Sequence, residues 1–504
     1  MLDLAFQADR TTAEPLYRQL EQFLLELVLS RRLAPGERLP ASRELADRLG
    51  LARNTVNQAY QALVYGGVLR ARVGQGTFVA GAAGLAPAPH AQIPRAFAWQ
   101  GLLARRVSAI ALPRGIDRPG PAAIDFRAGR VDGPSLPVVE LKRAYSQALS
   151  QSEALAEAMD PRGFEPLRAG IARSLVARGI ACSADEVAVV NGAQQALDLV
   201  ARTLVDPGDA VALEQPGYFG AAAAFSACEA HLVGVGVDDE GLCVDDLARI
   251  LRARRVKLLY ATPAVQSPTG VALSEERRRA LLELADAYQL PIVEDDYDSE
   301  LRHGGPPVPA LKNLDQAGQV IYVGTFSKAL FAGLRIGYVV ASPPLLARLT
   351  LTRWSADFNT NVVTQAALAQ LLESGALERH VRRVRKLYAQ RRDALLAALG
   401  DHMPAGSRCV EPAGGNTVWL RLPDDVDMAA LHAVAAAAGI AYARGEAFAL
   451  ADGPAAQMAE RHLLLSFARI PHERLAANVA ALADCVRSAQ SGREAPRAPR
   501  RHRR

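Results

Sequence analysis

Residues 320–335 read VIYVGTFSKALFAGLR, and this stretch decides how the rest of the chain is parsed. Its opening run, VIYVG, is apolar and rich in β-branched and aromatic residues, which predicts a short buried strand. Gly324-Thr325-Phe326-Ser327-Lys328 follows, so a lysine stands just past the carboxyl end of a strand, where an open α/β sheet holds its ligands. Arg335 comes shortly after and is suited to bidentate pairing with a phosphate. Only Lys142, Lys257, Lys312, Lys328 and Lys386 are lysines among 58 basic residues. A Ser-Lys pair is ordinarily a surface feature, but in a chain that uses arginine for charge it invites a chemical explanation.

Working outward, residues 121–486 repeat the pattern. The runs EVAVV (186–190), AVALE (210–214), KLLYA (257–261) and PIVED (291–295) alternate with amphipathic helical stretches. That alternation predicts an α/β domain with a largely parallel sheet. After EVAVV, Gly192, Ala193 and Gln194 open a helix whose backbone N–H groups form an anion site. Tyr218 follows AVALE and is placed to stack on a planar ring, and a Pro/Gly-rich loop, Thr262 to Gly270, follows KLLYA. Asp295 and Tyr297 close the PIVED strand as an acid and a phenol. Three adjacent acids there also suit Mg²⁺, yet no GxxxxGK[ST] loop accompanies them. Taken singly, these are core tyrosines, solvated acids and common turns. Their shared position at consecutive strand ends makes them one site.

In chain order the Gly loop, PGY, PTG, D-x-Y and SK…R elements resemble the fold-type I aminotransferases over residues 125–485. The resemblance implies pyridoxal 5′-phosphate (PLP) as cofactor. It implies that Lys328 forms the internal aldimine, that Asp295 pairs with the pyridine nitrogen and Tyr297 with the phenolic oxygen. Tyr218 then stacks on the ring, while Thr325, Ser327, Arg335 and the turn Gly192, Ala193, Gln194 hold the phosphate. The chain departs from the family in the Thr262 loop, which lacks its His and aromatic residue, and at Ala332, where a Pro is usual. Leu464, in Leu463-Leu464-Leu465-Ser466-Phe467-Ala468, stands where aminotransferases carry an arginine for the substrate carboxylate. Arg444 is the alternative candidate for an effector carboxylate. These departures leave cofactor binding intact and argue against ordinary amino-acid transamination.

Residues 11–80 have a different character. Apolar positions 16, 20, 23, 24, 27 and 28 lie on one helical face that runs from Pro15 through Leu33, where Pro35-Gly36 stops it. Ser42 is a plausible N-cap for a second helix with Leu45, Ala46 and Leu49 on its buried side. Gly50 ends that helix, and Arg53-Asn54-Thr55-Val56 starts the next. Two short helices about a tight turn predict a helix-turn-helix, with Arg53, Asn54 and Thr55 facing base edges. VLRARVGQGTFV then predicts two strands around Gly74–Gly76, a wing. The string from Leu33 to Val79 resembles the GntR-type winged helix, and the resemblance implies that Ser42, Arg43, Arg53, Asn54, Thr55, Arg72, Gly74 and Gly76 face DNA.

Bulk properties agree with two modules. At 504 residues the chain exceeds one core. Cys182, Cys228, Cys243, Cys409 and Cys485 are widely spaced and predict neither disulfides nor a zinc site. No metal is expected. No apolar run spans a membrane and the N-terminus lacks a signal-peptide pattern, so a cytoplasmic protein is expected. Residues 487–504 hold seven Arg and one Glu, so the net charge of +5 comes from a tail expected to be disordered. Global charge is therefore weak evidence for DNA binding. Residues 81–120, rich in Ala, Pro and Gly, are expected to be a linker.

Both modules together look like the MocR subfamily of GntR regulators. The resemblance implies a homodimeric transcription regulator that binds double-stranded operator DNA and senses PLP, an amino-bearing effector, or both. The alternative is a catalytically active PLP-dependent aminotransferase.

Overall fold

The computed structural model describes residues 6, 8–9, 14–72, 75–80, 99–108, 110, 122–304, 309–450 and 454–490. The chain divides into two compact units, Met1–Leu102 and Leu103–Arg504.

The first unit carries α1 (Leu16–Leu29), α2 (Ser42–Leu49), α3 (Arg53–Tyr65) and a hairpin of β1 (Leu69–Arg72) and β2 (Gly76–Val79). Leu20, Leu24 and Leu27 form the buried stripe of α1 and meet Leu45 of α2, Val56, Tyr60 and Leu63 of α3, and Val79. The helix stops at Leu29, short of the expected Leu33. Arg31 takes a left-handed φ of 58°, and the Leu33 N–H turns back to the Leu27 carbonyl at 3.0 Å. Leu33 still reaches the core, so the apolar pattern outlasts the helix. Ser42 is the first residue of α2 and not its cap. The chain enters extended through Ala41, which makes no side-chain cap bond. Gly50, at φ 62°, ends α2 in the left-handed conformation that glycine adopts without steric penalty. The hairpin pairs Leu69 with Val79 and Arg72 with Gly76; Gly74 lies outside the described residues.

The second unit is built on strands β3 (Ile124–Asp125), β4 (Val187–Val190), β5 (Ala210–Gln215), β6 (His231–Asp238), β7 (Gly241–Leu242), β8 (Leu258–Ala261), β9 (Ile292–Asp296), β10 (Val320–Thr325), β11 (Gly337–Val340), β12 (Arg408–Cys409), β13 (Thr417–Arg421), β14 (Ile440–Ala441), β15 (Ala443–Arg444) and β16 (His462–Ser466). The large sheet runs β4-β11-β10-β9-β8-β5-β6-β7. Its centre, β10-β9-β8-β5-β6, is parallel, and β11 is antiparallel to both neighbours. Helices cover both faces, as a parallel sheet requires. Along β4, Val187 and Val189 face one layer, with Leu167, Ile171 and Leu368. Ala188 and Val190 face the other, with Leu197, Val200 and Phe225.

A smaller sheet, β12-β13-β16-β15, packs one face on the helices Ala376–His402 and His472–Ser488. Val418, Leu420, Leu463 and Leu465 enter that core, whereas Trp419 and Leu464 face the opposite way.

The linker expectation falls mostly on residues outside the description. Within it, Trp99–Leu102 and Arg105–Ser108 each form one short helical turn. The final helix continues to Ser488, so Arg487 is part of it and bonds the His402 carbonyl at 2.9 Å. Residues 491–504 lie outside the described residues. Among the described residues no helix is long and apolar enough to cross a membrane.

Candidate cofactor site and DNA-binding face

Five strand ends of the large sheet converge. β9 carries Glu294, Asp295 and Asp296, all buried, and the three acids turn to separate partners. Glu294 accepts the backbone N–H groups of Leu311 and Lys312, each at 2.8 Å. Asp296 accepts from Arg178 at 2.7 Å and from the Ser299 hydroxyl at 2.6 Å, with the Tyr322 hydroxyl also upon it. Asp295 accepts the Tyr260 hydroxyl at 2.8 Å through Oδ2, while Oδ1 is buried and has no protein partner. Burial pushes its pKa up to about 7. A buried carboxylate with one oxygen orphaned needs a donor, and the protonated nitrogen of a pyridine supplies one.

Lys328 lies just past β10, its Nζ over the Tyr297 ring at 5.5 Å from the centroid. The positive charge of Lys328 partly offsets the burial cost of both Asp295 and Asp298. Thr325 and Ser327 share a hydroxyl bond at 3.0 Å, and the Ser327 N–H donates to Thr325 Oγ1 at 3.1 Å. Arg335 crosses to the β4 end, where it donates to the Asn191 carbonyl at 2.8 Å. Its guanidinium lies so close to Gly192 that a Cβ there would stand 3.3 Å from Cζ. Gly192 adopts φ 81° and caps the helix Ala193–Leu204. Asp357 pins this turn by accepting from Asn191 Nδ2 and Gln195 Nε2, both at 2.6 Å. A helix N-terminus, a guanidinium and two hydroxyls therefore meet at one corner, a set of donors that fits a phosphate.

Tyr218 follows β5. Its hydroxyl donates to Gln194 Oε1 at 3.4 Å, and burial raises its pKa to about 12. Beneath it Glu214 is buried and accepts from Thr262 Oγ1 at 2.5 Å and from Gln266 Nε2 at 3.2 Å. The structure thus brings Lys328, Asp295, Tyr297, Tyr218, Gly192, Ala193, Gln194, Thr325, Ser327 and Arg335 to these adjoining strand ends. It does not bring Arg444. That residue pairs in register with Leu463, on the sheet face opposite to Leu464, and sits 3.7 Å from Glu446. Glu214, Arg178 and Asp357 belong to the support of the site and were not singled out from sequence. Their partners are 48 to 166 residues away, beyond any local pattern.

In the first unit, Arg53 and Asn54 are exposed at the first turn of α3, Thr55 is half-buried, and Arg43 is exposed on α2 beside half-buried Ser42. On the hairpin Arg72 lies over the Phe78 ring at 5.5 Å, and Gly76 is exposed. Arg38, missed from sequence, packs its guanidinium on Gly76, where a Cβ would stand 3.0 Å from Nε.

The family comparisons divide in the same way. Residues 16–79 match the model of bacterial regulatory proteins of the gntR family, and residues 122–482 match aminotransferase class I and II. The chain is 38% identical over 397 residues to the probable rhizopine catabolism regulatory protein MocR of Rhizobium meliloti, covering 78% of this chain and 79% of that protein. It is 34% identical over 445 residues to the HTH-type transcriptional regulator TauR of Rhodobacter capsulatus, covering 86% and 89%. Among solved structures, the α-aminoadipate aminotransferase LysN of Thermus thermophilus, complexed with N-(5′-phosphopyridoxyl)-L-leucine, superposes with a TM-score of 0.70. It shares 30% identity, over 77% of this chain and 98% of that one. The aminotransferase domain and the orphaned Asp295 oxygen agree on pyridoxal 5′-phosphate as the cofactor. The chain belongs to the MocR subfamily of GntR-type transcription regulators, with a winged helix joined to a fold-type I aminotransferase domain.

Proposed function

We propose that this regulator binds paired operator half-sites as a cytoplasmic homodimer and that the state of its PLP site sets its affinity for them. The observation that carries the reading is a cofactor constellation, centred on the unpaired Asp295 oxygen, in a chain that also exposes Arg53 and Asn54 at a helix start. PLP supplies an aldehyde that condenses with amines and a ring that withdraws electrons when its nitrogen is protonated. Asp295 holds that proton at the ring nitrogen, Tyr297 donates to the phenolic oxygen, and Tyr218 covers the ring face. Thr325, Ser327, Arg335 and the turn Gly192, Ala193, Gln194 hold the phosphate. Lys328 provides the amine. At the DNA, Arg53 reads guanine and Asn54 adenine in the major groove. Thr55, Ser42, Arg43, Arg72, Gly74 and Gly76 complete the contact surface. Residues 11–80 form the DNA-binding domain, 81–120 the linker, 121–486 the sensor and 487–504 a basic tail.

Capture of genomic fragments on the purified protein, with and without PLP, tests this reading. Discrete sites with paired half-sites, altered by PLP in the wild type and unaltered in Lys328→Ala, are expected. Enrichment of no fragment by either form refutes it. The second reading, a working aminotransferase, is favoured by the complete set of cofactor residues. It requires conversion of bound PLP to pyridoxamine phosphate by an amino acid, with release of the keto acid.

A further inference from the structure

We propose that the ligand admitted beside the cofactor is a primary amine with an apolar body and no carboxylate, and that Leu464 determines this preference. The inference rests on the cofactor reading above. Leu464 is 4% exposed and packs with Trp419, Ala447 and Phe448, and with Phe219 and Ala443 at the margin. This cluster adjoins the ring-stacking segment directly. The Phe219 ring is 5.1 Å from Tyr218 and 6.0 Å from Phe448, and the Gly217 N–H donates to the Phe448 carbonyl at 2.8 Å. The wall beyond Tyr218 is therefore aromatic and aliphatic.

The neighbouring cations are committed elsewhere. Arg444 lies on the opposite sheet face, 3.7 Å from Glu446. Arg127 and Arg130 both pair with the Asp125 carboxylate at 2.8 Å, and Arg335 belongs to the Gly192 turn. His462 stacks on Trp419 at 4.7 Å, but burial lowers its pKa and its Nδ1 bonds the Met458 carbonyl at 2.8 Å. Arg421, on the same face as Trp419 and Leu464, pairs with Asp424 at 2.8 Å, so a carboxylate pressed on this wall loses its hydration and would have to draw a cation out of an existing pair. An alkyl or aryl group there loses only unfavourable contact with water. In the exchange, the amine nitrogen bonds the cofactor's C4′ as the bond from C4′ to Lys328 Nζ breaks. One proton passes from that nitrogen to Nζ, and no electrons are transferred.

The test titrates full-length protein loaded with PLP against 2-phenylethylamine and against L-phenylalanine. It follows the absorption of the bound cofactor and, in the same samples, affinity for a captured DNA site. Half-saturation at a concentration at least about tenfold lower for the amine is expected, and this wild-type comparison is decisive by itself. Leu464→Arg is expected to reverse the order, Leu464→Gln to narrow the gap, and Arg444→Ala to leave it unchanged. Equal or stronger response to phenylalanine overturns the inference, as does a spectrum moved by neither compound. Loss of phenylalanine binding in Arg444→Ala would also overturn it, since it would assign the carboxylate to Arg444. Protein that still binds its DNA site under any of these outcomes leaves the regulator reading standing.

Discussion

The two units build their functional surfaces in opposite ways. On α3, Arg53 and Asn54 are exposed, and the side chains beneath them that hold the fold are Val56, Ala59, Tyr60 and Leu63. Around Lys328 the functional groups are themselves part of the interior: Asp295 is 3% exposed and Glu214 2%. Their pKa values are pushed up to about 7 because burial penalises charge. A surface whose partner lies outside the molecule can be altered without unfolding it. A buried site is coupled to stability in both directions, since its charges cost folding free energy until the cofactor arrives.

The largest test of that contrast is Lys328→Ala, which should abolish the visible absorption of covalently bound PLP while DNA binding persists. Any PLP-dependent change in DNA affinity should vanish with it, as read by paired binding assays. Asp295→Asn comes next. Breaking a buried charge pair costs roughly 3–5 kcal/mol, so PLP affinity by equilibrium dialysis should fall by about two to four orders of magnitude. The same variant should stabilise the apo protein at alkaline pH. The folded-state pKa of Asp295 lies above the ordinary carboxylate value of 3.8. The folded state therefore binds the proton more tightly, and wild-type apo stability declines as pH rises from about 4 through about 7. Melting curves at pH 5 and pH 8 should show a smaller decline for the Asn variant.

A smaller effect is expected for Arg53→Ala, which should lose about 1–3 kcal/mol of specific DNA affinity and change stability by no more than about 0.5 kcal/mol. A melt lowered as much as by a core substitution would break the contrast between the units. The smallest effect belongs to Tyr60→Phe. It removes the bond from the buried Tyr60 hydroxyl to the Pro40 carbonyl, 2.9 Å long, and should cost about 1 kcal/mol of stability. Base preference in fragment capture should be unchanged.

Much of the architecture was legible because β-branched runs and their turns are local signals. KLLYA, PIVED and VIYVG correspond to β8, β9 and β10 within a residue or two at each end. The helix-turn-helix was legible for the same reason, through Gly50 and the apolar spacing of α1 and α2. Distant pairings were not legible. The sequence shows three acids in a row, but only the fold gives Glu294 to Leu311, Asp295 to Tyr260 and Asp296 to Arg178. Arg444 illustrates the same limit. Its residue type suits a carboxylate, and the register of β15 on β16, set by tertiary packing, turns it to the other face. Helix ends were the least legible, since Leu33 keeps the apolar pattern of α1 after its backbone has turned away.

Along β16, Leu463 and Leu465 enter the core of the small sheet while Leu464 faces the aromatic cluster beside Tyr218. Selection can therefore act on neighbouring codons for separate traits. On the amine proposal, a change at 464 would alter which ligands the sensor admits, whereas Leu463 and Leu465 touch only the core of the small sheet. Because Leu464 is itself buried among Trp419, Ala447 and Phe448, divergence at this position would be confined to residues of similar volume.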